Sequence, residues 1–160
     1  MVRKQLLVFV FETRHLIPAQ NNLHAFALNI TVKKVLAMEL TIKPGLKGHI
    51  EKTVEKQDLA SSYGSGHVDV FATPAMIALM EQAADLSIAK HLPDGQISVG
   101  FEVNIRHFKA TLPGKKVYAE SELLETDGRK FLFTVSAYDE DGCIGKGTHI
   151  RFAVEKSKFA

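Results

Sequence analysis

The sequence holds one cysteine, Cys143, so it can form neither an internal disulfide nor a cysteine-based zinc site. A reducing compartment such as the cytoplasm suits such a chain. Long apolar runs are also missing; none approaches the roughly 20 residues that a helix needs to cross a bilayer. There is no basic patch with interleaved aromatics, and the formal net charge is only +2, so nothing points to a nucleic-acid partner. His49, His67, His91 and His149 show no metal-ligand spacing, such as two histidines four apart on a helix. A glycine-rich phosphate loop, a nucleophile elbow and a Cys/His pair are all absent. What is present is ordinary globular material: 160 residues, 46% hydrophobic and 24% charged, which suits one domain with a core.

Charge is unevenly spread. Residues 1–37 carry five basic residues and one acid, Glu12, whereas residues 38–160 carry 15 basic and 17 acidic ones. The run Leu6–Phe11 is too short for a secretory apolar region. The basic composition is somewhat like a mitochondrial transit peptide, but serine is absent. Residues 1–37 are therefore read as an N-terminal extension: an added strand or arm, or the product of a start site placed upstream of Met38. Residues 38–160 are read as the domain proper.

From Met38 onward the pattern is regular. Pro44-Gly45 marks a turn, and a first strand is expected over His49–Val54. Residues 60–66 read as a loop by composition. Thr73-Pro74 predicts a helix start, with Thr73 as N-cap and Pro74 in the first turn. The helix should run to about His91 and end at Leu92-Pro93-Asp94-Gly95. Four strands follow, roughly Ile97–Lys109, Lys115–Glu125, Lys130–Tyr138 and Cys143–Val154, with a glycine at each connection for a positive-φ turn. A strand, an apolar helix and a four-strand antiparallel meander predict an α+β fold, with a curved sheet wrapped around one long helix. A curved sheet with an open edge and a one-sided pocket makes a poor monomer, so a homodimer joined edge to edge is expected.

Four residues look out of place. Glu81 falls mid-helix on a face with Ile77, Met80, Ala84 and Ile88. There it is either a buried general base with a raised pKa or a carboxylate reaching a cation or water at the helix edge. Asp85, one turn on, is expected to face solvent or a partner subunit. His107 closes a period-two stripe of Phe101, Val103 and Ile105, and reads as a catalytic group or a satisfied rim residue. Thr73 sits where a helix N-terminus favours negative charge, or is simply a cap. Gly100 lies inside a strand, where glycine serves a close backbone approach.

Taken together, Val70–Glu81, Gly100–Gly114 and Gly145–Arg151 resemble the fluoroacetyl-CoA thioesterase type of hot dog protein, over roughly Ile50 to Ile150. The resemblance implies thioester hydrolysis of a small acyl-CoA without a cofactor, with Thr73, Glu81 and His107 as the catalytic set. It also implies Gly100 near the thioester carbonyl, Arg151 as a contact for coenzyme A, and a dimer, or a higher oligomer, that builds each site from both chains. A lid phenylalanine of the family is replaced by His67, so resistance to fluoroacetate is not implied. Two other readings stay open: a hot dog hydratase or dehydratase, whose close Asp/His pair is not found here, and a non-catalytic acyl-CoA binding module.

Overall fold

The computed structural model describes residues 29–30, 32–33 and 42–159. The chain divides into two compact units, Met1–Leu36 and Ala37–Ala160. Four exposed helical residues are described in the first. The expectations for residues 1–37 therefore lie almost wholly outside the described residues. The sheet, the long helix and the candidate site all belong to the second unit.

After the turn at Gly45 (φ 94°), β1 covers Lys47–Thr53. A 3-10 turn, Lys56–Asp58, leads to the short helix α1, Ala60–Tyr63. The long helix α2, Thr73–Ile88, continues as a 3-10 turn through His91. Strands β2 (Gln96–His107), β3 (Lys116–Thr126), β4 (Lys130–Asp139) and β5 (Gly142–Glu155) complete the domain. They form one five-stranded sheet in the order β1-β3-β4-β5-β2, antiparallel throughout. Gly128 and Gly142 supply the positive φ at the β3–β4 and β4–β5 turns.

Three expectations are corrected. The last four strands are not a simple meander, because β2 pairs with β5 while β1 takes the free edge of β3. The Leu112-Pro113-Gly114 connection is thus a crossover, with Gly114 N–H bonded to the Val54 carbonyl and the preceding Thr111 carbonyl to Phe71 N–H, although Gly114 does take a positive φ. Part of the 60–66 loop is one helical turn, closed by Gly64 in the left-handed region. The residue before α2 is Ala72, which makes no side-chain cap; Thr73 and Pro74 stand inside the first turn.

Helix α2 buries Met76, Leu79, Met80, Ala83, Ala84 and Ile88 against Val117, Ala119, Phe131, Phe133, Val135 and Ile144. Each fully buried large apolar side chain contributes about 1.5–3 kcal/mol. The helix lies so close to β1 that a Cβ on Gly48 would overlap the Ala83 carbonyl. The sheet covers only one side of α2. Glu81 and Asp85 are half-buried, and Gln82 and Leu86 are exposed.

Candidate active site

Thr73 opens α2 and His107 ends β2, and the antiparallel run of helix and strand brings them together. Thr73 Oγ1 lies 3.0 Å from His107 Nδ1, so the hydroxyl that sequence assigned to capping serves the histidine instead. The edge of the Phe71 ring faces the imidazole at 6.5 Å between centroids. Burial lowers the His107 pKa below the ordinary 6.5, with the Lys109 backbone pulling the other way. Its Nε2 is buried and has no hydrogen-bond partner among the described residues.

Glu81 stands eight residues beyond Thr73, about 12 Å further along the helix axis. Its side chain is 36% exposed, so of the two positions left open by the sequence it takes the one at the edge of the helix, at the rim of the apolar face. Among the described residues its carboxylate accepts no hydrogen bond; the nearest ring nitrogen, His149 Nε2, is 3.6 Å from Oε1. The carboxylate packs directly over Gly100: a Cβ there would overlap Glu81 Oε1 and approach His149 Cε1 to 3.3 Å. The close backbone approach expected at Gly100 is thus an approach of Glu81.

The stripe expected on β2 is broken one residue later. Register slips between Gly100 and Glu102, leaving Phe101 as an extra residue in the strand. Phe101 is 71% exposed and packs edge-on to Phe152, while Val103, Ile105 and His107 pair with His149, Gly147 and Gly145. A period of two cannot foresee a bulge, which shifts every later side chain by one face.

Beneath Glu81 lies a network built on Arg151. Nε donates to Ser98 Oγ (2.8 Å) and Nη2 to Ser98 O (3.0 Å) and Asp85 Oδ1 (3.1 Å). Nη1 reaches the Glu81 carbonyl oxygen (3.3 Å) and His149 Nε2 (3.2 Å). Ser98 also donates to Asp85 Oδ1. Five contacts match the five N–H bonds of a guanidinium. Arg151 is buried, so the contact to coenzyme A implied by resemblance is corrected: its donors are already engaged inside the chain. Asp85, expected to face solvent or a partner, is 40% exposed and is also tied to Arg151 and Ser98.

Sequence alone gave His149, Ser98 and Asp85 no part in the site. A signal existed in β5, where Gly145, Gly147, His149, Arg151 and Ala153 alternate with Lys146, Thr148, Ile150 and Phe152. Two large polar side chains on the inward face of an otherwise small-residue stripe require partners.

The structure thus yields two pairs, Thr73 with His107 and Glu81 with Gly100, and separates them along one chain. Residues 54–157 match the family model described as fluoroacetyl-CoA-specific thioesterase, FlK. The fluoroacetyl-CoA thioesterase of Streptantibioticus cattleyicolor is 40% identical over 91 residues, spanning 57% of this chain and 66% of that enzyme. The chain thus spans just under two thirds of that relative. The solved FlK structure superposes with a TM-score of 0.69 at 31% identity, covering 74% of this chain and 92% of that one. Variants of that enzyme have been solved with fluoroacetate and CoA and with acetyl-CoA. A hot-dog-like protein from Thermanaerovibrio acidaminovorans, 20% identical with a TM-score of 0.67 over 74% of this chain and 87% of that one, shares the fold. By family match, shared topology and the arrangement of helix and sheet, the chain belongs to the fluoroacetyl-CoA-specific thioesterase family of hot dog thioester hydrolases.

Proposed function

We propose that this thioesterase hydrolyses a small acyl-coenzyme A, with Thr73, Glu81 and His107 at the reacting bond and each site assembled from two copies of the chain. The observation that carries this reading is the separation of the two pairs along α2. Strand β2 ends the sheet, with one edge unpaired among the described residues. Two copies joined antiparallel along that edge, about a point between Val103 and Asn104, bring Gly100 of one beside His107 of the other. Glu81 of one copy then meets Thr73 and His107 of the second across one pocket.

In that pocket Glu81, which accepts no hydrogen bond from the described residues, activates water or attacks the carbonyl carbon itself. The unpartnered His107 Nε2 orients water or delivers the proton to the leaving thiolate. Backbone N–H groups beside Gly100 steady the oxyanion. The small acyl group is taken from the relative, whose variants bind acetyl-CoA and fluoroacetate. Arg151 is assigned to bracing the site. No described helix is long and apolar enough to cross a membrane; the cytoplasm is proposed from the single cysteine, and residues 1–37 are proposed to be dispensable, so that a chain starting at Met38 keeps its activity.

Thiol release from a panel of short and medium acyl-CoAs tests the activity. Absence of release from every member favours a binding module. Mixing Glu81→Gln with His107→Ala chains tests the shared site: each mixed dimer has one intact site, so full exchange restores about a quarter of wild-type turnover. No recovery, or a monomer by sedimentation at micromolar concentration, overturns the two-chain site.

A further inference from the structure

We infer that His149 is a positioning residue that keeps Glu81 unpaired: the ring is held neutral with its proton on Nδ1, so it presents a lone pair to the carboxylate, and protonation of the ring closes the site. The inference rests on Glu81 being the acting carboxylate. His149 is 1% exposed on the inward face of β5, between Val103 of β2 and Phe133 of β4. Nδ1 lies 2.8 Å from the Glu102 carbonyl oxygen. A carbonyl has no proton to give, so Nδ1 is the donor. Nε2 lies 3.2 Å from Arg151 Nη1. A guanidinium has no lone pair to offer, so Nε2 is the acceptor. The two partners together permit only one tautomer, and that tautomer is uncharged.

The 3.6 Å approach of Nε2 to Glu81 Oε1 is therefore not an ion pair as the protein stands. It sets a nitrogen lone pair against a carboxylate oxygen, which leaves that oxygen free for water or a thioester. The charged groups around the ring act in opposition. Arg151 disfavours a second positive charge, whereas Glu81 favours it; Asp85 is already bound to Arg151. Glu102 contributes its carbonyl while its side chain is exposed on the other face, and Val103 and Phe133 are apolar. Burial, the largest influence, lowers the pKa below 6.5, in keeping with a neutral ring. On acidification the ring gains a proton at Nε2, loses the bond from Arg151 and turns that proton on Glu81. The carboxylate is then paired and withdrawn from catalysis.

Long-range 15N–1H NMR of the full chain, from pH 8 to pH 5, reads the ring without reference to activity. A neutral Nδ1–H ring is expected at pH 7.5. Its protonation midpoint should coincide with the acid limb of kcat/KM for thiol release from acetyl-CoA. In His149→Gln, which cannot titrate, the limb should move to lower pH. The ratio of kcat/KM at pH 5 to that at pH 7.5 should then rise about threefold or more. An Nε2–H or doubly protonated ring at pH 7.5 overturns the inference, whether or not the variant folds. So does a limb that follows His107 and stays in place in His149→Gln. Near-normal turnover in Glu81→Gln removes the function proposed for the carboxylate and this inference with it; an inactive Glu81→Gln with an Nε2–H ring removes the inference alone.

Discussion

The two ends of α2 hold their polar groups in opposite ways. At the Thr73 end, a hydroxyl and an imidazole share one bond, and His107 Nε2 has no partner among the described residues. At the Glu81 end, both nitrogens of His149 and all three nitrogens of Arg151 have partners, yet the carboxylate above them accepts nothing from the described residues. Bracing is concentrated in His149 and Arg151, and open valences are left on the two groups proposed to act on the thioester. A group that must exchange a proton gains from having no competing bond, while a buried cation must be fully satisfied to be tolerated at all.

The strongest way to break this contrast is to neutralise the open carboxylate. Glu81→Gln keeps the shape but removes the base, and turnover is expected to fall about 100-fold or more. Because the carboxylate makes no hydrogen bond with the described residues, the melting temperature should stay close to that of the parent. Thiol release at saturating acyl-CoA alongside a melting curve checks both. A large loss of stability with turnover intact would show Glu81 to be structural.

Arg151 should behave in the reverse manner. Arg151→Met fills similar space but strands two Ser98 oxygens, the Glu81 carbonyl and Asp85. A loss of about 2–3 kcal/mol is expected in urea denaturation. Arg151→Lys should rescue little of it, since an ammonium has three donors and no planar fork. If Lys restores full stability, the network reduces to its charge, and the geometric reading of it fails.

The contrast was only half legible in the sequence. Glu81, Gly100 and His107 stand out because each breaks a local pattern, as a polar group on an apolar face or a glycine in a strand, and Thr73 because it marks a helix start. The element order and most boundaries followed from periodicity and turn glycines, and β3, β4 and β5 lie where expected. The partnership of β2 with β5 did not, because pairing across a crossover leaves no mark on either strand alone. Nor did the bulge at Phe101, which turned an expected inward aromatic outward. The network that joins His149 and Arg151 left no mark in the sequence, because their partners, Glu102, Ser98, Asp85 and Glu81, are 47 to 70 residues away in the chain.

Acid sharpens the contrast more gently. Both His107 and His149 are held below the ordinary value of 6.5, chiefly by burial. The unfolded chain therefore binds protons more readily than the folded one as pH falls through 6.5. Their stabilising contribution is complete above that value and is lost progressively until the lowered folded pKa values are passed. The buried Asp139 behaves separately. Burial pushes its pKa up, but the Lys109 bond and others hold it below 3.8, so its contribution fades only in stronger acid. Melting curves from pH 8 to pH 3 should fall in two stages, the first beginning near 6.5. His149→Gln should shrink the first stage and leave the second. A flat profile down to pH 4.5 would mean that neither imidazole is held neutral by the fold.

The smallest effect is expected at Thr73, and its size separates two roles. As an N-cap, Thr73→Ala would cost about 1 kcal/mol. In the structure Ala72 precedes the helix, and the threonine hydroxyl is turned to His107 instead. The side chain is exposed, so water can replace the hydroxyl at the imidazole, and the loss in stability should be about 0.5 kcal/mol or less. What the alanine removes is the orientation of His107, since the Thr73 hydroxyl is its one side-chain hydrogen-bond partner among the described residues. Turnover should therefore fall several-fold while KM changes little, and Thr73→Ser, which retains the hydroxyl, should recover most of it. Urea denaturation and initial rates on the two variants check the pair. A full 1 kcal/mol loss in Thr73→Ala, restored by serine with turnover unmoved throughout, would return Thr73 to the capping role that its place before Pro74 suggested.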